Sequence, residues 1–299
     1  MILVFGGSGQ LGRELVLSAR MQGIDLEALP HTWCDVADES AVAVAVSSNG
    51  PQVVINAAAY TKVDLAEKDI EAAERGNTRG PHVLAKCCAA ANVPLIHIST
   101  DYVFDGSKSA PYVESDPVAP INVYGVTKAK GEAAIRSTSV RHVIIRTAWV
   151  YSAFGSNFMK TVLRLTAERD ELRIVADQHG CPTSARNLAD ALLHIAPRLA
   201  HGDSIWGTYH FAGLGVTTWY GFAEKIIAAQ AQLTGRRPKL VPISTADYPT
   251  PARRPKNSAF DCELFMHTFG LAPKRWQEET DAIVPEVLAE MNGKETSLA

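Results

Sequence analysis

Four apolar residues, Ile2 to Phe5, run directly into Gly6-Gly7-Ser8-Gly9-Gln10-Leu11-Gly12, and an amphipathic stretch opening with Arg13-Glu14-Leu15 follows. The apolar run has the length of a buried parallel strand. Gly6, Gly9 and Gly12 then fall three residues apart at the junction between that strand and a helix. Without Cβ atoms such a loop turns tightly and lets a pyrophosphate approach backbone N–H groups at the helix N-terminus, where the macrodipole favours negative charge. A bare glycine triplet is equally compatible with a simple tight turn. The strand before it and the helix after it select dinucleotide binding, with Gly6, Gly9, Gln10, Leu11 and Gly12 as the candidate contacts.

The apolar runs that follow extend the pattern. Asp25 to Leu29 reads as a second strand, but Pro30-His31 stands where an acid would grip the adenosine ribose. No arginine stands there either, so NADH is not favoured and NADPH is permitted. Asp35 and Val36 come next and face the adenine side in this reading, while Asp38 suits a helix N-cap better than Asp35 does. Val53-Val54-Ile55 is a third strand delivering Asn56-Ala57-Ala58-Ala59 at its carboxyl end, where ligands lie in open α/β sheets. The small side chains of Ala57, Ala58 and Ala59 leave room for a cofactor. Asp64, Glu67 and Lys68 read as the solvated face of a helix. Pro94 to Ile98 is a fourth strand ending in Ser99-Thr100-Asp101-Tyr102-Val103-Phe104-Asp105-Gly106, and Val143 to Arg146 a fifth. Thr100 is placed to bond a substrate carbonyl oxygen and Asp101 a hydroxyl, with capping or turn formation as the alternative for both.

Between the fourth and fifth strands lies Val123-Tyr124-Gly125-Val126-Thr127-Lys128. On a helix, Tyr124 and Lys128 share one face a turn apart. An ammonium beside a phenol favours the phenolate, so Lys128 is expected to pull the Tyr124 pKa down towards working pH.

Size and charge narrow the remaining classes. At ~100–200 residues per domain, 299 residues make one large or two modest domains. A net charge of -3 provides no basic stripe for nucleic acid. No apolar run approaches the ~18 residues of a membrane helix, and the strand at Ile2 leaves no room for a signal peptide, which points to a cytoplasmic chain. Cys34, Cys87, Cys88, Cys181 and Cys262 are scattered without zinc-like spacing and read as small buried hydrophobes in a reducing compartment.

Residues 1–156 thus form a Rossmann-type NAD(P)-binding domain, a doubly wound parallel sheet. Residues 157–299 are mainly a smaller α/β substrate lobe, the two interleaving after 156. Helices are expected over Asn157 to Glu168, Ala185 to Leu199 and Trp219 to Leu233, short strands near Leu172 and Tyr209, and a frayed polar tail over Gly293 to Ala299. Arg253 and Arg254 sit on a proline-rich loop. Their guanidinium forks match phosphate oxygens, although a solvated basic turn fits the sequence as well.

The glycine loop, Asn56-Ala57-Ala58, Thr100 and Tyr124-x-x-x-Lys128 together resemble the extended short-chain dehydrogenase/reductase superfamily. Ser99 to Gly106, Arg146 to Tyr151, Gly155 to Phe158, Asp177 to Ala185 and Arg254 to Ser258 narrow the resemblance, over nearly the whole chain, to the dTDP-4-dehydrorhamnose reductase family. That resemblance implies NADPH or NADH as cofactor and a nucleotide-sugar substrate, whose 4-keto group is reduced. Tyr124 would be the proton donor, assisted by Lys128, which also bonds the nicotinamide ribose, and Thr100 would orient the keto oxygen. Asp101, Trp149, Arg254 and Asn257 would bind substrate. The resemblance also implies a homodimer with Mg²⁺ held by glutamates. Glu14 and Glu290 stand where such acids belong, with Asp190 in place of a third, but they read as exposed helix acids, so the metal ligands stay open. Two alternatives share the fold: a non-catalytic NADP-binding regulatory subunit resembling the methionine adenosyltransferase β subunit, and another nucleotide-sugar reductase or epimerase.

Overall fold

The computed structural model describes residues 1–139 and 141–296. The chain begins β1 (Ile2–Phe5), α1 (Gln10–Gln22), β2 (Leu26–Leu29), α2 (Glu39–Asn49), β3 (Val53–Asn56), α3 (Val63–Ala66) and α4 (Ile70–Glu74). A π-helical turn, Arg75–Arg79, joins α4 to α5 (Gly80–Ala90), and β4 (Leu95–Thr100), α6 (Val123–Thr138), β5 (His142–Thr147) and β6 (Val150–Tyr151) follow. The second half runs α7 (Phe158–Glu168), β7 (Glu171–Val175), β8 (His179–Gly180), β9 (Thr183–Ser184), α8 (Ala185–Ala200) and β10 (Gly207–His210). It ends β11 (Thr217–Thr218), α9 (Trp219–Thr234), β12 (Lys239–Ile243), α10 (Glu263–Phe269) and α11 (Trp276–Thr296).

The main sheet has the order β10-β5-β4-β3-β1-β2 and is parallel throughout. Helices cover both faces, so each strand sorts its side chains into two cores by the period of two. Ile2, Val4, Ile55, Ile96, Val143 and Ile145 meet Leu11, Leu15, Leu188 and Leu192 on the α1/α8 side. Leu3, Phe5, Val54, Leu95 and Ile144 meet Val42, Val46, Leu84 and Cys88 on the other. The strand order reverses between β1 and β3, which opens a crevice beyond their carboxyl ends. This is the doubly wound α/β fold the glycine loop demanded.

The chain does not divide at one point. Helix α8 packs on α1, and β10, the strand expected near Tyr209, is hydrogen-bonded to β5 in the main sheet. The other late elements gather around a separate core of Tyr151, Met159, Val162, Phe222, Ile226 and Val287. Strand β4 runs through Ser99 and Thr100, two residues beyond the apolar run. At the C-terminus α11 continues to Thr296, so residues 293–296 are helical rather than a frayed tail, and residues 297–299 lie outside the described part. All five cysteines are free and buried.

Candidate active site

The glycine loop closes one end of the crevice. Gly6 has φ +91, and a Cβ there would lie 2.6 Å from the Ala58 backbone nitrogen. Only glycine lets the β1 loop and the β3 loop approach this closely. Beside them lies a cavity of about 400 Å³ lined by Gly6, Gly9, Asp35, Val36, Ala57 and Ala58, with Ala59 on its wall. An extended backbone cradle with an alanine floor suits a dinucleotide.

Arg75 also lines this cavity, carried in by the π-helical turn. Its guanidinium donates from Nε and Nη2 to one Asp35 oxygen, at 3.0 and 2.7 Å, while the other oxygen accepts from the Ala37 N–H. Burial opposes the Asp35 charge, but these donors outweigh it and hold the carboxyl below its ordinary range. Asp38 caps α2 by accepting from the Ala41 N–H, as its position suggested.

At the other end, α6 presents Tyr124 and Lys128 side by side beneath the carboxyl end of β4. Three devices fix this helix. Asn122 caps it by accepting from the Gly125 N–H and donates to Arg253 O at 2.8 Å. Glu67 accepts from the Val123 N–H at 2.8 Å, placing a negative charge at the positive helix end. Gly125 lets the helix touch the Tyr102 carbonyl, which a Cβ would approach to 2.1 Å. Glu67 is therefore part of the helix anchor rather than a solvated face.

Tyr124 and Lys128 are both buried. Burial pushes the phenol up to about 12, with the Thr100 hydroxyl pulling weakly the other way. Burial takes the Lys128 amine down to about 8. The expectation that Lys128 lowers the Tyr124 pKa fails in this ligand-free form, because desolvation penalises both charges. Lys128 Nζ donates to Ile98 O at 2.6 Å and lies 3.4 Å from His97 Nε2. Below it, Glu132 pairs with Arg146 at 2.8 Å and accepts from Ser99 at 2.5 Å. Burial works against that carboxylate too, but Arg146 and Ser99 hold its pKa down.

Thr100, the last residue of β4, donates to Asp101 Oδ1 at 3.0 Å. Asp101 Oδ2 is buried without a partner, the Ser258 hydroxyl turning instead to His179 O at 3.3 Å. Burial raises the Asp101 carboxyl to about 6. Thr147, paired with Thr100 across β4 and β5, carries a second orphaned oxygen. Buried orphans beside a crevice mark where a ligand's polar groups belong.

The rim is aromatic. Trp149 has φ 47, a strained backbone for a bulky residue, and its indole stacks on Trp219 at 3.6 Å and 6°. Trp219 donates to Gln178 at 3.2 Å. Arg254 grips Asp64 with both fork nitrogens, at 2.7 and 3.0 Å, so Asp64 orients an arginine rather than merely facing water. Asn257 donates to Lys108 O and Ala110 O, at 2.8 and 3.0 Å, and so staples that loop.

Residues 1–289 match the family model described as the RmlD substrate binding domain. The chain belongs to that family. A dTDP-4-dehydrorhamnose reductase of Sinorhizobium fredii is 42% identical over 97% of this chain and 98% of its own length. One from Escherichia coli is 41% identical over 92% and 94%. Among solved structures, a dTDP-4-dehydrorhamnose reductase of Clostridium acetobutylicum superposes with a TM-score of 0.89 at 35% identity, covering 96% of this chain and 99% of that one. That of Bacillus anthracis, in complex with NADP, gives 0.87 at 34%, covering 95% and 98%.

Several RmlD-family site features escaped the sequence. Arg75 lies 44 residues beyond His31, on a helical turn whose π character no periodicity announces. Trp219 opens α9, and only the tertiary fold stacks it on Trp149. The metal reading changes as well. Glu14 is buried and accepts from Ser152 at 2.7 Å, Asp190 accepts from Ser18 at 2.5 Å, and Glu290 pairs with Lys160 at 3.0 Å. None of the three is a freely exposed helix acid, and among the described residues no three acids, histidines or cysteines converge on a metal site. No helix is long and apolar enough to cross a membrane.

Proposed function

We propose that this chain reduces the 4-keto group of dTDP-4-dehydro-β-L-rhamnose to give dTDP-L-rhamnose, using NADPH or NADH. The observation that carries the reading is the meeting of Thr100, Tyr124 and Lys128 at the carboxyl end of β4, in a member of this family. A nicotinamide cofactor, when bound, supplies the hydride. The glycine loop, Ala57, Ala58 and Ala59 hold its dinucleotide, and Asp35 with Arg75 holds the adenosine end. The bound B. anthracis relative supports NADP as one such cofactor.

The protein's own task is one proton. With its pKa at about 12, the Tyr124 phenol is protonated at neutral pH and is a ready donor to the nascent alkoxide. Thr100 orients the keto oxygen. Lys128, as an ammonium, stabilises the phenolate left behind and bonds the nicotinamide ribose. Asp101 receives a sugar hydroxyl, the Trp149–Trp219 stack packs against the sugar, and Arg254, aligned by Asp64, faces the diphosphate. Asn257 shapes that pocket through its loop.

The test follows NADPH and NADH oxidation with the dTDP-keto-sugar against other nucleotide sugars. Oxidation selective for the dTDP-keto-sugar is expected. Tight NADP binding with no turnover on any keto sugar would overturn the reading in favour of a regulatory subunit. Interconversion of sugars without net NADPH consumption would favour an epimerase. A metal-linked homodimer would appear as an EDTA-sensitive change in gel filtration.

A further inference from the structure

Beneath Lys128 lies a fully buried histidine whose protonation the surrounding hydrogen bonds dictate. His97 on β4 stands in register with Asn56 on β3, and both are 0% exposed. Asn56 Oδ1 accepts from the Ala58 N–H at 3.1 Å, which fixes the orientation of the amide. Its Nδ2 therefore faces His97 Nδ1, at 2.9 Å. An amide nitrogen only donates, so Nδ1 accepts and carries no hydrogen. The neutral ring then bears its hydrogen on Nε2, which points at Lys128 Nζ 3.4 Å away.

That contact discriminates between the two forms of the lysine. A free amine offers a lone pair to Nε2–H and still donates to Ile98 O at 2.6 Å. An ammonium has no lone pair and meets another donor. The other titratable groups near the pair leave this logic intact. His142 on β5 and Lys128 on α6 face the imidazole, and burial, first, then these two hold it neutral. On α6, Glu132 acts on Lys128 from the next turn but is already bonded to Arg146 and Ser99, and Tyr124 on the preceding turn carries its proton.

We propose that His97 is a positioning residue, held in its Nε2–H tautomer by Asn56 and thereby biasing Lys128 towards the free amine in the ligand-free protein. The Ala58–Asn56–His97–Lys128 chain also links the cofactor-loop wall to the amine. Motion of the β3 loop on cofactor binding is thus transmitted to the state of the lysine. The kinetic consequence rests on the reductase reading; the tautomer does not.

Two measurements test this separately. In ¹⁵N-histidine spectra of the ligand-free protein, the signal lost in His97→Gln or His97→Phe is expected to show a protonated Nε2 and an unprotonated Nδ1. A protonated Nδ1 overturns the proposal whatever the enzyme's substrate. In kinetics, His97→Phe keeps a ring but removes the donor. The alkaline limb of kcat/KM is expected to move up by about one pH unit, a tenfold gain in rate at a pH well above the limb. A merely structural role would lower kcat at every pH and leave the limb in place, which also overturns the proposal. If His97→Phe does not fold, Asn56→Asp is the second variant. Its carboxylate accepts from Nδ1, so the spectrum is expected to show the proton moved from Nε2 to Nδ1, and an unmoved proton overturns the proposal.

Discussion

Tyr124 and Asp101 carry opposite consequences of the same burial. Tyr124 is raised to about 12 and so holds its proton until an alkoxide takes it. Replacing it with phenylalanine is expected to lower kcat by roughly 10²–10⁴, the usual worth of a general acid. Cofactor affinity, read by NADPH fluorescence titration, should be nearly unchanged. Asp101 is raised from 3.8 to about 6, so the folded state binds its proton more tightly than the unfolded chain does. Its contribution to stability is full below pH 4 and lost as pH rises through 6. Above that, a charged, half-partnered carboxylate is a burden on the order of 1–3 kcal/mol. Asp101→Asn should therefore melt a few degrees higher than the parent at pH 8. It should lose that advantage at pH 4 and turn over more slowly, as calorimetry and the oxidation assay would show.

At the scale of elements, the placing of α6 decides the site. Gly125→Ala puts a methyl group against the Tyr102 carbonyl, and overpacking of this kind costs typically 1–3 kcal/mol. A lower urea midpoint together with a lower kcat is expected; an unchanged kcat would mean that the helix shifts without moving Tyr124. How much of this was legible in the sequence depends on the distance over which each signal acts. Strands β1, β3 and β5 were written in apolar runs, and the Tyr124–Lys128 face in a spacing of four. Thr100 and Asp101 were found by their place after a strand. The π-helical turn, the strain at Trp149 and the Asp64–Arg254 pair were not legible. Each is set by contacts between segments distant in sequence, and none leaves a local period. The pKa expectation for Tyr124 failed for a related reason: spacing reports proximity, while burial, set by the whole fold, decided the sign.

At the scale of the molecule, the substrate pocket is assembled from both halves of the chain. Arg254 arrives on a late loop and is oriented by Asp64 on α3 at 2.7 Å. The pair is partly exposed, so it adds at most about 1 kcal/mol to stability, and its value lies in alignment. Arg254→Ala is expected to raise KM for the nucleotide sugar about tenfold or more with KM for NADPH unchanged. Equal changes in both would show that the residue holds the fold rather than the diphosphate.

The dependence of the first half on α8 and β10 reaches back to synthesis on the ribosome. When residue 156 emerges, β5 is still an open edge and Val4, Ile55 and Ile145 lack the leucines of α8 that will cover them. Some fifty further residues must leave the exit tunnel before the nucleotide-binding layer can seal itself. A chain stopped at 156 should therefore collect in inclusion bodies, and one carried on through His210 should have the parts to close that layer.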